Sequence, residues 1–200
     1  MNSSAESLSM ADADFLNELK SATADAHAAL ENTPLSKKLL DPDISVMDYR
    51  EYLEKMYSLI LFTEEQVAPS IADFLPDLSE RSKLSWLEQD LKNLGSVLPD
   101  TTPYHNVQLL NVAEQMGWYY VVEGSTLGGR VILKSLQRHL PPHVFETSAQ
   151  FFNGYGESTG RKWKSFLAVL DQYAQTPATR KSVIDGANKA FLQIQKSFNS

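Results

Sequence analysis

The sequence predicts an all-α protein, on three observations. Apolar residues recur every three to four positions along most of the chain. Few stretches alternate apolar and polar residues as a half-buried strand does. Glycine and proline stand mostly where helical patterns stop. The first helix is expected over about Asp12–Glu31, closing near Asn32–Pro34. A second opens after Ser45, with Asp48 three residues on as a weak capping box. It carries Tyr49, Leu53, Met56, Leu59, Ile60 and Phe62 at helical spacing and stops before Pro69. A third runs from about Ser79 to Leu94, with Gly95 where a C′ glycine stands. A fourth opens after Pro103, around His105–Asn106, and carries Leu109, Val112, Met116 and Tyr119. It meets a glycine cluster, resumes through Val131, Leu133 and Leu136, and is ended by Pro141–Pro142. A short segment covers Phe145–Phe152, and Gly154 and Gly156 mark a turn. Ser158 is expected to cap a helix through Trp163, Phe166 and Leu170 that stops near Pro177. The last helix spans about Thr179–Phe198, giving six to eight helices in all.

Length and composition narrow the function classes. The 200 residues suit one domain, and neither an internal repeat nor a linker divides them. Residues 1–12, rich in Ser, Ala and acids, lack the basic and apolar blocks of a secretory signal and read as a disordered leader to a domain over 13–200. No apolar run approaches the roughly 20 residues that cross a bilayer, so no membrane role is expected. The absence of cysteine excludes disulfides, thiolate nucleophiles and Cys-ligated zinc or iron–sulfur clusters. It agrees with a cytoplasmic location. A formal net charge of -7 argues against nucleic acid as a partner.

One stripe of the first helix joins three chemistries. At about 100° per residue, Lys20 and His27 lie within roughly 20° of each other, and Glu31 within about 40° of His27. A neutral imidazole can ligate a metal through one nitrogen while the other donates to a carboxylate. Lys20 could meet an anionic group of a ligand lying along the helix. The same residues also suit an ordinary solvated face. A carboxylate-bridged di-iron site is disfavoured, because none of His27, His105, His139 and His143 has a Glu three residues before it.

The segment from Trp118 to Arg130 is the least ordinary in the chain. Gly124, Gly128 and Gly129 fall inside a helical pattern, and each costs about 1 kcal/mol relative to Ala. A kinked or loosened helix is the expected result. Gly124 and Gly128 share a face, so a flat ligand could lie against bare backbone there. Close packing between helices is the other use of such residues. No phosphate loop is present, since neither a Gly-x-Gly-x-x-Gly after a strand nor a Gly-Lys-Ser/Thr ending occurs.

Taken together these segments resemble the haem oxygenase family. The first helix, Leu19-Lys-Ser-Ala-Thr-Ala-Asp-Ala-His-Ala-Ala-Leu-Glu31, is similar to the family's proximal helix with its Leu-Lys, Thr, His and Glu. Leu87-Glu-Gln-Asp-Leu91 resembles a segment that precedes the distal helix. Tyr119 through Gly129 resembles the distal helix, with a Tyr five residues before the first Gly and a Gly-Gly pair after it. The likeness runs from about Phe15 to Leu140 and thins beyond.

The resemblance implies a single-domain helical bundle holding haem between a proximal helix and a kinked, glycine-rich distal helix. His27 would be the axial ligand of the haem iron and Glu31 its hydrogen-bond acceptor. Lys20 and Tyr119 would contact propionates, and Thr23 belongs to the same proximal pattern. Gly124, Gly128 and Gly129 would face the porphyrin and the oxygen. A basic residue among Arg161, Lys162 and Lys164 would complete the grip on the propionates. The family often has Asp after the first distal Gly, organising water that feeds protons to dioxygen. Ser125 stands there, able to hold a water but not a charge.

The implied reaction is oxidation of haem, both substrate and cofactor, by O2 to biliverdin, Fe2+ and CO. Electrons would come from an external reductase, either a ferredoxin or a flavoprotein, and the protein would act as a monomer or weak dimer. A non-catalytic haem storage or delivery protein of the same fold is the first alternative. A helical interaction module that takes no haem is the second.

Overall fold

A computed structural model describes residues 3–98, 103–104 and 106–200, with side chains from Phe15 onward. The described residues form helices and no strand, as the periodicity predicts. The ten α-helices among them are α1 (Ser3–Glu31), α2 (Pro34–Lys38), α3 (Val46–Phe62), α4 (Ala68–Ile71), α5 (Leu84–Asn93), α6 (Val112–His139), α7 (Pro142–Ser148), α8 (Gln150–Asn153), α9 (Thr159–Tyr173) and α10 (Pro177–Phe198). None is long and apolar enough to cross a membrane.

Local chemistry explains most boundaries. Ser45 and Asp48 cap each other reciprocally at the start of α3, completing the expected capping box. Gly95 has φ +68°, and the Ser96 amide donates back to Leu91 O at 2.9 Å, a Schellman close to α5. Pro69 does not end the second helical segment. A π-helical turn, Thr63–Val67, carries the chain onward into α4, with the proline in its first turn, where no intrahelical partner is lost. That turn also sets Glu64 against the next segment, where it accepts from the Lys83 and Leu84 amides at 2.6 and 3.1 Å. The start of α5 is thus capped from a distance, at Leu84 rather than Ser79. Ser158 does not cap α9; its hydroxyl accepts from Arg161 Nη2 instead.

The fourth helix differs most from expectation. It begins at Val112, because the Asn111 side chain accepts from the Glu114 amide and fixes the N-terminus there. Leu109 precedes it, and the expected start at His105 falls outside the described residues. The helix then runs unbroken through Gly124, Gly128 and Gly129 to His139. Two of these glycines admit a close neighbour, Gly124 the Trp163 ring of α9 and Gly129 the Phe152 backbone of α8.

The α6–α10 crossing is the structural centre. A Cβ on Gly117 would lie 1.9 Å from Val183 O, and one on Gly186 would lie 2.0 Å from Glu114 O. The two backbones touch, which only glycine allows. Trp118 is buried nearby and donates from Nε1 to Thr63 Oγ1 at 2.9 Å. Helix α10 also packs along α1, where Asn188 reaches Ala22 O and Phe191 meets His27. One rigid helix therefore carries both elements to which the sequence assigns chemistry.

Asp90, within the Leu87–Leu91 segment, is fully buried and accepts from the Gln150 and Phe151 amides at 3.1 and 2.9 Å. Burial pushes its carboxyl up to about 6, against the pull of those two amides. The folded chain thus holds this proton more tightly than the unfolded chain. The stability it contributes is full below about pH 4 and lost as pH rises through about 6. Asp90→Asn is expected to remove that component, flattening thermal stability between about pH 4 and pH 6. A variant with the parent's slope over that range would contradict the assignment.

Candidate functional site

On α1 the predicted stripe is present. Lys20, His27 and Glu31 are exposed, with the His27 side chain 58% exposed. Its Nδ1 lies 3.6 Å from Glu31 Oε2, adjacent but longer than a hydrogen bond. The ring meets Phe191 edge-on, with centroids 5.6 Å apart and planes at 79°, which restrains its tilt. Nε2 has no partner among the described residues. Thr23 differs from the others: it is buried, and its hydroxyl donates to Leu19 O at 2.8 Å.

The three distal glycines have three different surroundings. Gly128 faces open space, with nothing within 4 Å of an added Cβ. Gly124 lies under the Trp163 indole, whose Cη2 would sit 3.3 Å from such a Cβ. Gly129 is buried, and a Cβ there would lie 3.3 Å from the Phe152 carbonyl oxygen. Ser125 is exposed and donates to Val122 O at 2.7 Å, leaving its lone pairs available. Beside it a cavity of about 30 Å³ is lined by Ser125, Thr126, Gly129, Lys83 and Phe152.

Of the two neighbouring tyrosines, it is Tyr120 that reaches the first helix. Its hydroxyl lies toward the Thr23 side chain, and its ring packs on Trp163 at 5.3 Å. Burial raises its phenol, and the Thr23 side chain opposes that. Tyr119 is turned inward against Phe166, with Lys83 Nζ 5.9 Å from its ring centroid. Burial, then the Glu123 carboxylate, hold its phenol far above the usual range.

The three basic candidates on α9 also separate. Lys162 is committed within the chain, donating to Asp77 Oδ2 at 2.9 Å and Glu80 Oε2 at 2.5 Å. Burial works against its charge, but the two carboxylates outweigh it and hold the ammonium above its ordinary value. Arg161 is exposed, bonded to Ser158 Oγ at 2.8 Å. Lys164 is exposed without a partner among the described residues.

Sequence reasoning missed the buried group next to Gly124. Glu123 is wholly buried and accepts from Arg81 Nη1, from Lys83 Nζ at 2.8 Å and from Tyr155 at 3.0 Å. Its one visible signal was an acid placed directly after Val121 and Val122. Arg81 and Lys83 gave none, because their segment reads as polar surface. Among the described residues no cluster of three His, Asp or Glu could hold a bare metal ion.

Comparison with known proteins places the chain in a family. The family model described as Heme oxygenase matches residues 13–200. A heme oxygenase of Xanthomonas campestris is 31% identical over 156 residues, covering 73% of this chain and 86% of its own. The heme oxygenase PigA of Pseudomonas aeruginosa is 27% identical over 174 residues, covering 84% and 83%. The solved heme oxygenase of Neisseria meningitidis superposes with a TM-score of 0.72 at 22% identity, covering 92% of both chains. With the model match spanning nearly the whole sequence, this chain belongs to the haem oxygenase family.

Proposed function

We propose that this protein opens haem oxidatively, using O2 and electrons from an external ferredoxin or flavoprotein reductase, to biliverdin, Fe2+ and CO. The observation that carries the reading is the exposed His27, its Nε2 unpartnered among the described residues, on a helix held by the same α10 that packs the glycine-bearing α6.

The residues present fit a haem. His27 offers a free Nε2 on an exposed face, and Gly128 offers backbone with open space beside it. When bound, haem supplies the iron at which dioxygen is activated. The chain's own groups bind and orient it. His27 holds the iron, with Glu31 beside Nδ1 favouring the tautomer that leaves Nε2 free. Lys20 takes one propionate, and Arg161 or Lys164 takes the other, since Lys162 is already paired. Gly128 lets backbone approach the ring closely. Ser125 presents lone pairs toward water but stores no charge, so protons must arrive through solvent rather than from a carboxylate at this position.

Electrons reach the site from outside. Arg130, Lys134 and Arg138 recur four apart along α6, exposed, on a chain of net charge -7. That row suits an acidic donor protein met in the cytoplasm.

Gly128→Ala separates the functional use of this glycine from a structural one. With no neighbour to obstruct a Cβ, the substitution is expected to stabilise the haem-free protein by about 1 kcal/mol. Haem affinity should fall at least tenfold, because the methyl stands where the ring lies. Unchanged haem titration would show that Gly128 does not face the ligand.

A haem delivery protein of the same fold is the second reading, favoured by Ser125 standing where the family often has Asp. Purified haem complex with a reductant system and air distinguishes them. Loss of the Soret band with growth of a broad red band means an enzyme; an unchanged Soret band means a carrier.

A further inference from the structure

We propose that Glu123 is a positioning residue, whose buried carboxylate fixes the Gly124–Gly128 backbone and the Trp163 ring relative to each other on the haem side of α6. The proposal rests on the haem reading above for its functional meaning, and on the buried network for its mechanism.

The network is closed and balanced. Lys83 Nζ donates to Glu123 Oε2 at 2.8 Å, Tyr155 OH at 2.7 Å and Arg81 O at 3.0 Å, which uses all three of its protons. Arg81 spans from Glu123 to Asp77, which it meets through Nε and Nη2 at 2.8 and 3.0 Å. Asp77 in turn holds Lys162, which also holds Glu80. Three cations (Arg81, Lys83 and Lys162) thus face three carboxylates (Glu123, Asp77 and Glu80).

Buried ion pairs add little stability over apolar side chains of the same size, because desolvation cancels the attraction. Their better use is to select one arrangement. What this network selects lies beside it on both sides. Glu123 immediately precedes Gly124, the first of three glycines in six residues, where the backbone is least restrained by its own side chains. Arg81 Nη2 also bonds Lys162 O at 3.1 Å and Ser165 Oγ at 2.8 Å. Those two residues flank Trp163, the side chain lying on Gly124. One guanidinium therefore ties the carboxylate next to Gly124 to the helix segment that carries the indole above it.

The test is amide hydrogen exchange on the haem-free protein, joined to analysis of the bilin isomers formed by the haem complex. In Glu123→Leu/Lys83→Met the remaining charges still balance, with Arg81 and Lys162 against Asp77 and Glu80, so the fold is expected to persist. Exchange should accelerate at least tenfold at residues 124–129 while residues 133–139 keep the parent's protection. The isomer distribution of the bilin should differ from the parent's. Glu123→Gln, which keeps the size of the side chain, should shift both readouts the same way, less strongly. Unchanged exchange at 124–129 would overturn the proposal, as would uniform acceleration along α6. So would a double variant that fails to fold while Glu123→Gln exchanges like the parent. Exchange is measured with no haem present, so failure of the parent to produce any bilin sinks the haem reading and leaves this result standing.

Discussion

His27→Ala is expected to abolish imidazole ligation of haem while leaving the fold intact. The side chain is more than half exposed, and its neighbour Glu31 is 69% exposed, so the pair adds little to stability. What the substitution removes is the free Nε2 on the exposed face of α1 and the ring contact with Phe191. The edge contact is worth about 1 kcal/mol at most. No other described histidine can take its place. His139 lies at the C-terminal end of α6, near Ser135, and His143 lies in α7. Haem affinity should fall by at least two orders of magnitude, and the Soret and iron–ligand spectra should lose the signature of a histidine-bound iron. A variant retaining the parent's spectra would contradict the assignment.

Gly186→Ala is expected to produce, with Gly117→Ala, the largest loss of stability of any glycine-to-alanine change in this chain. The new Cβ would stand 2.0 Å from Glu114 O and 2.6 Å from its C and Cα, all backbone atoms of the facing helix. No rotamer change relieves that overlap; α6 and α10 must separate. The cost is about 4 kcal/mol or more, comparable with much of a domain's total stability. Melting temperature should drop by about 10 °C or more. Gly117→Ala meets Val183 O at 1.9 Å and should act alike. Gly160→Ala, with nothing within 4 Å, is the control expected to be neutral or slightly stabilising. Because α10 supports both α1 and α6, haem binding should be lost together with the crossing. An alanine variant that melts like the parent would show that the two helices are free to move apart.

Features set by neighbours in sequence were legible from the sequence. The Ser45–Asp48 capping box and the Gly95 helix end depend on residues within one turn, and both stand as read. The stripe of Lys20, His27 and Glu31 follows from helical geometry alone. Features set by distant neighbours were not legible. The start of α5 is capped by Glu64 from another helix, so the local pattern misplaced it. Continued periodicity at Leu109 masked the cap at Asn111. The glycines of α6 showed as a cost, but the sequence could not assign their separate surroundings, or reveal that Gly117 and Gly186 are the least replaceable. Close approach of two backbones leaves no local pattern. The buried charges were hidden for the same reason, since Arg81, Lys83 and Glu123 come together only when α6 docks. Tyr120 escaped notice beside Tyr119 because a one-residue step changes the face of a helix by about 100°.

A crystal structure of the haem complex decides whether haem lies between the His27 face of α1 and the glycine face of α6. The expected structure has His27 Nε2 bonded to iron, Gly128 backbone in contact with the opposite face of the ring, and the Trp163 indole moved off Gly124 or stacked on the porphyrin edge. Iron held by any other residue, or haem bound elsewhere with Trp163 still covering Gly124, would contradict it.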